Sequence, residues 1–228
     1  GAGNTDPTCY YGATLSGTAG AYTCTKPAYY QHYYVPYCPT GTLTGSYCYV
    51  TPSGDSSNAT IDTSTISGNT ATTAGGGVFF RSMSHEGEIL RSTIAGNSGD
   101  GIDDDSPAGS PVLVADLISN SGADCVQPST APKLADDGYN IVTDASCGLS
   151  SSTSHGSTSL SSDLGTLRDN GGPTQTIAIA RSGSDPAFQS IPAGATLPGG
   201  ATICSGTDQR GVARSGSCDV GAFNSEPA

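Results

Sequence analysis

The clearest pattern in the chain is a short aliphatic run ending in a Gly or Asn corner, and it recurs. STISGN spans residues 64–69, STIAGN spans 92–97 and DLISNS spans 116–121, so the phrase returns after 28 and then 24 residues. Ile66, Ile94 and Ile118 hold the same place in each phrase, and Asn69, Asn97 and Asn120 stand near its corner. Between the phrases lie brief strand-like runs, GVFF (77–80), EIL (88–90), GID (101–103) and PVLVA (111–115). Very short strands repeating every 20 to 30 residues predict a solenoid, in which no coil buries its inward face alone and stacking makes one narrow core. An antiparallel sandwich, with strands at intervals of about 8–12 residues, and a flexible Ser/Thr/Gly linker are the competing readings.

The chain before this repeat has a different character. Residues 1–52 hold ten of the eleven Tyr and four of the eight Cys. CYYGATLSGTAGAYTC, from Cys9 to Cys24, and CPTGTLTGSYC, from Cys38 to Cys48, each predict a small closed hairpin or loop. Local pairing would join Cys9 to Cys24 and Cys38 to Cys48, although four cysteines allow three connectivities. Between them runs YYQHYYVPY with Tyr29, Tyr30, Tyr33, Tyr34 and Tyr37, dense enough in large amphipathic side chains to predict an assembly contact. The organisation expected is therefore a Cys/Tyr-rich arm or cap over 1–52, a linker over 53–60, coils over 61–176 and a final coil and cap over 177–228.

Composition changes the picture in three ways. Leu, Ile, Val and Phe number only 35 of 228, too few for a thick core but enough for a thin one filled by a few side chains per coil. Gly, Ser and Thr dominate, which disfavours helices. The net charge of −12 disfavours nucleic acid and anionic membranes as partners. Eight Cys without a CxxC spacing predict disulfides, hence an extracellular or cell-surface location, and no apolar run is long enough to span a bilayer. The start at Gly1 is expected to reflect processing, and Asn58-Ala59-Thr60 is a glycosylation sequon.

The C-terminal two thirds adds a likeness to known proteins. STISGN, the Gly75-Gly76-Gly77-Val78 run, STIAGN, an isolated Cys125, GYNIVTDASCG (138–148), LGTLRDNGGPTQT (164–176) and DQRGVARSGSCDVGAF (208–223) together resemble bacterial surface proteins. These carry a pectin-lyase-like right-handed parallel β-helix next to a choice-of-anchor domain. The likeness covers about residues 58–223 and leaves the Cys/Tyr-rich region without a counterpart. It implies an all-β, single-stranded parallel β-helix with disulfides Cys125–Cys147 and Cys204–Cys218, the second stapling a C-terminal cap. Within that cap Asp208, Arg210, Arg214 and Asp219 belong to the most specific phrase, and the two arginines are expected to bridge acidic groups.

Candidate chemistry is sparse. Asp103, Asp104 and Asp105 are hard oxygen donors suited to Ca²⁺, provided that they lie on a turn, because consecutive strand residues point to opposite sides. An inverting hydrolase would need paired carboxylates such as Asp103 and Asp116, and a lyase a base such as Arg81, Arg91 or Lys133. His85 and His155 lack any nucleophile spacing. The leading expectation is a non-enzymatic extracellular structural protein, self-associating into a fibre or sheath through residues 1–52, with the solenoid as rigid body. A cell-surface adhesin binding a glycan or host surface is the alternative, and a polysaccharide lyase or hydrolase the next.

Overall fold

The computed structural model describes residues 59–81, 87–105, 109–127, 133–182, 184–197 and 199–225, with five short strands nearer the N-terminus. The chain divides into two compact units, Gly1–Ser56 and Ser57–Ala228.

In the first unit β1 (Thr14–Thr18) and β2 (Ala21–Thr25) form an antiparallel hairpin. β3 (His32–Tyr33), β4 (Thr42–Thr44) and β5 (Tyr47–Tyr49) form a second antiparallel sheet in the order β3-β5-β4. Each Cys-bracketed segment thus contains an antiparallel pair. The expected pairings of Cys9, Cys24, Cys38 and Cys48, and the side chains of Tyr29, Tyr30, Tyr33, Tyr34 and Tyr37, lie outside the described residues.

The second unit is a parallel β-solenoid with three faces. The first face stacks β6 (Thr60–Asp62), β9 (Glu88–Leu90), β12 (Val112–Val114) and β15 (Ala135–Asp136). The second stacks β7 (Thr65–Ser67), β10 (Thr93–Ala95), β13 (Leu117–Ser119), β16 (Ile141–Val142) and β17 (His155–Gly156). The third stacks β8 (Val78–Arg81), β11 (Ile102–Asp105) and β14 (Cys125–Val126). Every pairing within these faces is parallel.

Register explains the repeated phrase. Ile66, Ile94, Ile118 and Val142 are direct partners down the second face. Ile61, Ile89 and Leu113 are partners down the first, and Val78, Ile102 and Cys125 down the third. The three columns meet in one interior, where Ile89, Ile94, Ile102, Leu113 and Ile118 have no exposed surface. The thin core inferred from composition is therefore present.

The corners between the first and second faces are made alike. Thr63, Arg91, Ala115 and Tyr139 take positive φ values of 50°, 48°, 59° and 58° at equivalent places in successive coils. A left-handed residue turns the chain in one step between two strands, at a cost of roughly 1 kcal/mol or more for a side chain other than Gly. The residue after each corner recovers part of that cost through hydrogen bonding. Ser64 N–H donates to Ser92 Oγ (3.1 Å), Ser92 N–H to Asp116 Oδ1 (2.7 Å), Asp116 N–H to Asn140 Oδ1 (3.0 Å) and Asn140 N–H to Ser154 Oγ (3.0 Å). A second ladder follows the other end of the same face. Asn69 N–H donates to Asn97 Oδ1 (3.1 Å) and Asn97 N–H to Asn120 Oδ1 (3.1 Å), while Asn120 N–H reaches Asp124 Oδ1 (2.9 Å). Corner N–H groups that strand pairing leaves over are thus satisfied from the following coil or, for Asn120, from four residues further on.

The parallel ladder ends at Gly156, short of the 61–176 span assigned from sequence. Beyond it come a single helical turn α1 (Leu160–Asp163) and an antiparallel hairpin of β18 (Leu164–Arg168) and β19 (Thr176–Ile179). The solenoid end itself is closed by residues 143–154. Cys147, bonded to Cys125, lies in the inner core, and Leu149 packs against it.

The segment stapled by Cys204–Cys218 takes a different place from the end position that the word cap suggests: it lies along the flank. Gly221 N–H donates to Ala115 O (2.9 Å), Ala222 N–H to Thr93 Oγ1 (3.0 Å) and Thr65 Oγ1 to Gln209 Oε1 (2.6 Å), so contacts run from the first coil to the third. The reason lies in the strands. Leu90, Val112, Val114, Leu117 and Ile141 belong to the outward sides of the first two faces and form a second core with Ile179, Ile191, Ile203, Val220 and Phe223. Two sheet faces that are apolar outside as well as inside must be covered.

Candidate functional site

The three acids proposed for Ca²⁺ lie on a strand and do not converge. On β11, Asp104 is fully buried, Asp103 is half-buried and Asp105 is exposed, alternating as a pleat requires. Burial and then the charges of Asp100, Asp105 and Asp104 raise the Asp103 carboxyl above its ordinary value, against a backbone hydrogen bond from Gly75. Asp103 sits in register between Phe79 and Val126, both notably exposed, on the outer side of the third face. Among the described residues no group of three His, Cys, Asp or Glu side chains is placed to hold a metal ion.

Most other acids are engaged with the backbone. Asp116 is fully buried at its corner and accepts N–H bonds from Ser92 and Val114; burial pushes its carboxyl well above the ordinary range despite them. It belongs to the corner after β12, whereas Asp103 is on the third face, so the two stand on different parts of the coil. Asp124 is also raised by burial, outweighing its hydrogen bonds from Thr143 and Asn120. Asp136 is the opposite case. Burial pushes it up, but Ser154 Oγ, Ser151 N–H, Asn140 Nδ2 and Ser150 N–H together bring it below its ordinary value. Asp144 is likewise lowered, because hydrogen bonds from Ser146 and Asp124 outweigh burial.

Asp136 and Asp144 hold the end closure, and this gives it a defined acid response. A depressed folded pKa means that stability is fully present above the unfolded value of about 3.9 and is lost as pH falls through the lower folded value. Asp116 and Asp124 have the opposite sign, since the folded state takes up their protons first and acid relieves the burial of charge. On lowering the pH from about 5 to about 2, hydrogen-exchange protection in residues 143–154 is expected to fall before that of 89–95 and 112–119. Loss of both at one pH would contradict this assignment.

The flank residues act as a clasp. Arg210 pairs with Asp208 through Nε (3.0 Å) and Nη2 (2.8 Å), donates to Asn224 O (2.7 Å), and lies 3.8 Å over the Phe223 ring. Arg214 is buried and donates to carbonyls rather than carboxylates, to Asp219 O (3.0 Å) and Gly221 O (2.6 Å). Burial and the nearby Arg91 bring its guanidinium down to about 10, against Asp208, Asp219 and Asp62. Asp219 accepts from Gln189 N–H (2.6 Å) and from both the N–H and the hydroxyl of Ser225. Arg91 fastens a coil corner to the same segment, pairing with Asp62 and reaching the carbonyls of Ile203 and Ser205.

A feature not foreseen from sequence is an open groove of about 290 Å³ where the last coil meets the flank segment. Exposed Pro192 gives it an apolar wall backed by the buried Ile141 and Val220, and Tyr139, Thr153, His155 and Ser190 supply polar groups. Its signal was Tyr139, the sole Tyr after residue 52, but residues so far apart in the chain have no spacing to reveal that they line one groove.

Among the described residues no helix is long and apolar enough to cross a membrane. Comparison with known proteins found no matching family model, no matching curated protein and no matching solved structure.

Proposed function

We propose that this chain is a structural protein of an extracellular assembly, a self-associating subunit whose solenoid is the rigid body and whose Cys/Tyr-rich residues 1–52 make the subunit contact. The observation that carries this reading is where the polar side chains are used. Asp116, Asp124, Asp136, Asp208 and Asp219, with Asn97, Asn120 and Asn140, hold backbone groups in neighbouring coils or in the flank segment. Two polar ladders and two cores make a stiff body, as a load-bearing subunit requires. The disulfides Cys125–Cys147 and Cys204–Cys218 support a place outside the cell, where such bonds persist. Closure of the last coil by residues 143–154 favours growth through the Tyr-rich unit over simple stacking of coil ends.

Electron microscopy and light scattering of the intact chain test this. The wild type is expected to form species much larger than a monomer. Exchange of Tyr29, Tyr30, Tyr33, Tyr34 and Tyr37 for Ser is expected to leave monomers with an unchanged far-UV spectrum. A wild-type chain that stays monomeric at high concentration refutes the reading.

A further inference from the structure

We propose that the groove lined by Tyr139 and His155 binds a single neutral sugar ring. Its volume, about 290 Å³, is near the lower limit of roughly 300 Å³ for small-molecule sites, which suits one ring better than an extended chain. The lining divides as a pyranose does. Exposed Pro192 and the half-buried ring of Tyr139 offer apolar surface to the C–H face of the ring, backed by Ile141 and Val220, which are buried behind them. Thr153, His155 and Ser190, all exposed, and the phenol of Tyr139 offer donors and acceptors to its hydroxyl rim.

The site is built on rigid elements. Tyr139 is the fourth member of the left-handed corner column, and its N–H donates to Thr153 Oγ1 (3.1 Å), which brings together two of the groove's polar residues. Ile141 and His155 are direct partners between β16 and β17. Ser190 and Pro192 flank Ile191, whose backbone pairs with that of Cys218, and Val220 N–H donates to Ala187 O (3.1 Å).

Charge selects the class of sugar. The lining holds no Asp, Glu, Lys or Arg, and the chain carries a net charge of −12, which repels uronates and sialic acids.

Saturation-transfer NMR of the intact chain with methyl pyranosides of glucose, galactose, mannose and N-acetylglucosamine, beside galacturonic acid, tests the proposal. At least one neutral pyranoside is expected to bind with a Kd on the order of 1 mM, as a shallow open groove allows, and galacturonate is expected not to bind. Tyr139→Asn, which suits the left-handed backbone as well as Tyr does, is expected to weaken binding at least about 10-fold, and His155→Ala about 3-fold or more. Tyr139→Phe keeps the ring and reports the hydroxyl separately. Absence of binding by every neutral pyranoside, preference for galacturonate, or undiminished binding by correctly folded Tyr139→Asn each overturns it. The outcome is independent of whether the chain self-associates.

Discussion

Gly221→Ala is expected to destabilise residues 57–228 by about 3 kcal/mol and to loosen the flank segment from the solenoid. Gly221 has φ +91°, and a Cβ built there lies 2.7 Å from Leu117 Cδ1, 2.7 Å from Thr93 Oγ1 and 2.9 Å from Leu117 Cγ. Two costs therefore combine. The left-handed backbone disfavours any side chain by about 1–2 kcal/mol, and forcing a methyl group into a filled core costs about 1–3 kcal/mol more. Retreat is constrained, since Gly221 N–H is bonded to Ala115 O (2.9 Å) and its carbonyl accepts from Arg214 (2.6 Å). Gly206→Ala separates the two terms. Gly206 has φ +73° with nothing within 4 Å of its added Cβ, so it should cost only the backbone part, about 1 kcal/mol. Urea denaturation of both variants measures the difference; equal midpoints would mean that the flank contact carries little of the stability.

That contact was the part of the fold least legible in the sequence. The inner columns were readable because one residue type recurs in one phrase, so Ile66, Ile94 and Ile118 announce their register. The outer core recurs as nothing so regular. Leu90 and Val114 are ladder partners, but Ile191, Ile203 and Val220 join them from a segment outside the repeat. A signal did exist in PVLVA, residues 111–115, where every residue is buried. A half-exposed strand alternates, whereas an unbroken apolar run marks a strand covered on both sides, and here it marks the coil under the flank segment.

The corner chemistry was half legible for a related reason. The Asn69, Asn97, Asn120 column keeps one residue type and was visible as a repeat. Ser92, Asp116, Asn140 and Ser154 perform one task with three residue types, because hydroxyl, carboxylate and amide oxygens all accept an N–H. Asp116 was weighed as a candidate catalytic acid on type alone, and its burial against two backbone donors is a property of the stacked coils that no local pattern encodes. Asp136 is similar. It partners Leu113 in the ladder, at a column position that holds Ile or Leu in three earlier coils, and there it gathers the closing residues Ser150, Ser151 and Ser154.

Asn97→Ala should give the largest loss in the second ladder, about 3–4 kcal/mol, and the comparison with Asn69→Ala shows why. Asn97 is almost fully buried and makes four side-chain hydrogen bonds. Its Oδ1 accepts from Asn69 N–H (3.1 Å) and Asn69 Nδ2 (3.0 Å), and its Nδ2 donates to Ile66 O (3.0 Å) and Asn120 Oδ1 (3.0 Å). Alanine removes all four from a buried position, each worth about 1 kcal/mol net, while Ile66 O keeps its ladder pairing with β10 and Asn69 N–H is left to water. Asn69 is exposed in the first described coil and donates from its side chain to Asn97 alone, so its replacement should cost under about 1 kcal/mol. Asn97→Asp sharpens the test, because a carboxylate still accepts from Asn69 but faces Ile66 O and Asn120 Oδ1 with no proton to donate. It should therefore be as damaging as alanine at pH 7 and recover part of the loss in acid, where the protonated carboxyl donates again. Equal stability of the Asn69 and Asn97 variants by denaturant titration would mean that the coils are held by aliphatic stacking alone, with the ladder a consequence of the fold rather than a support for it.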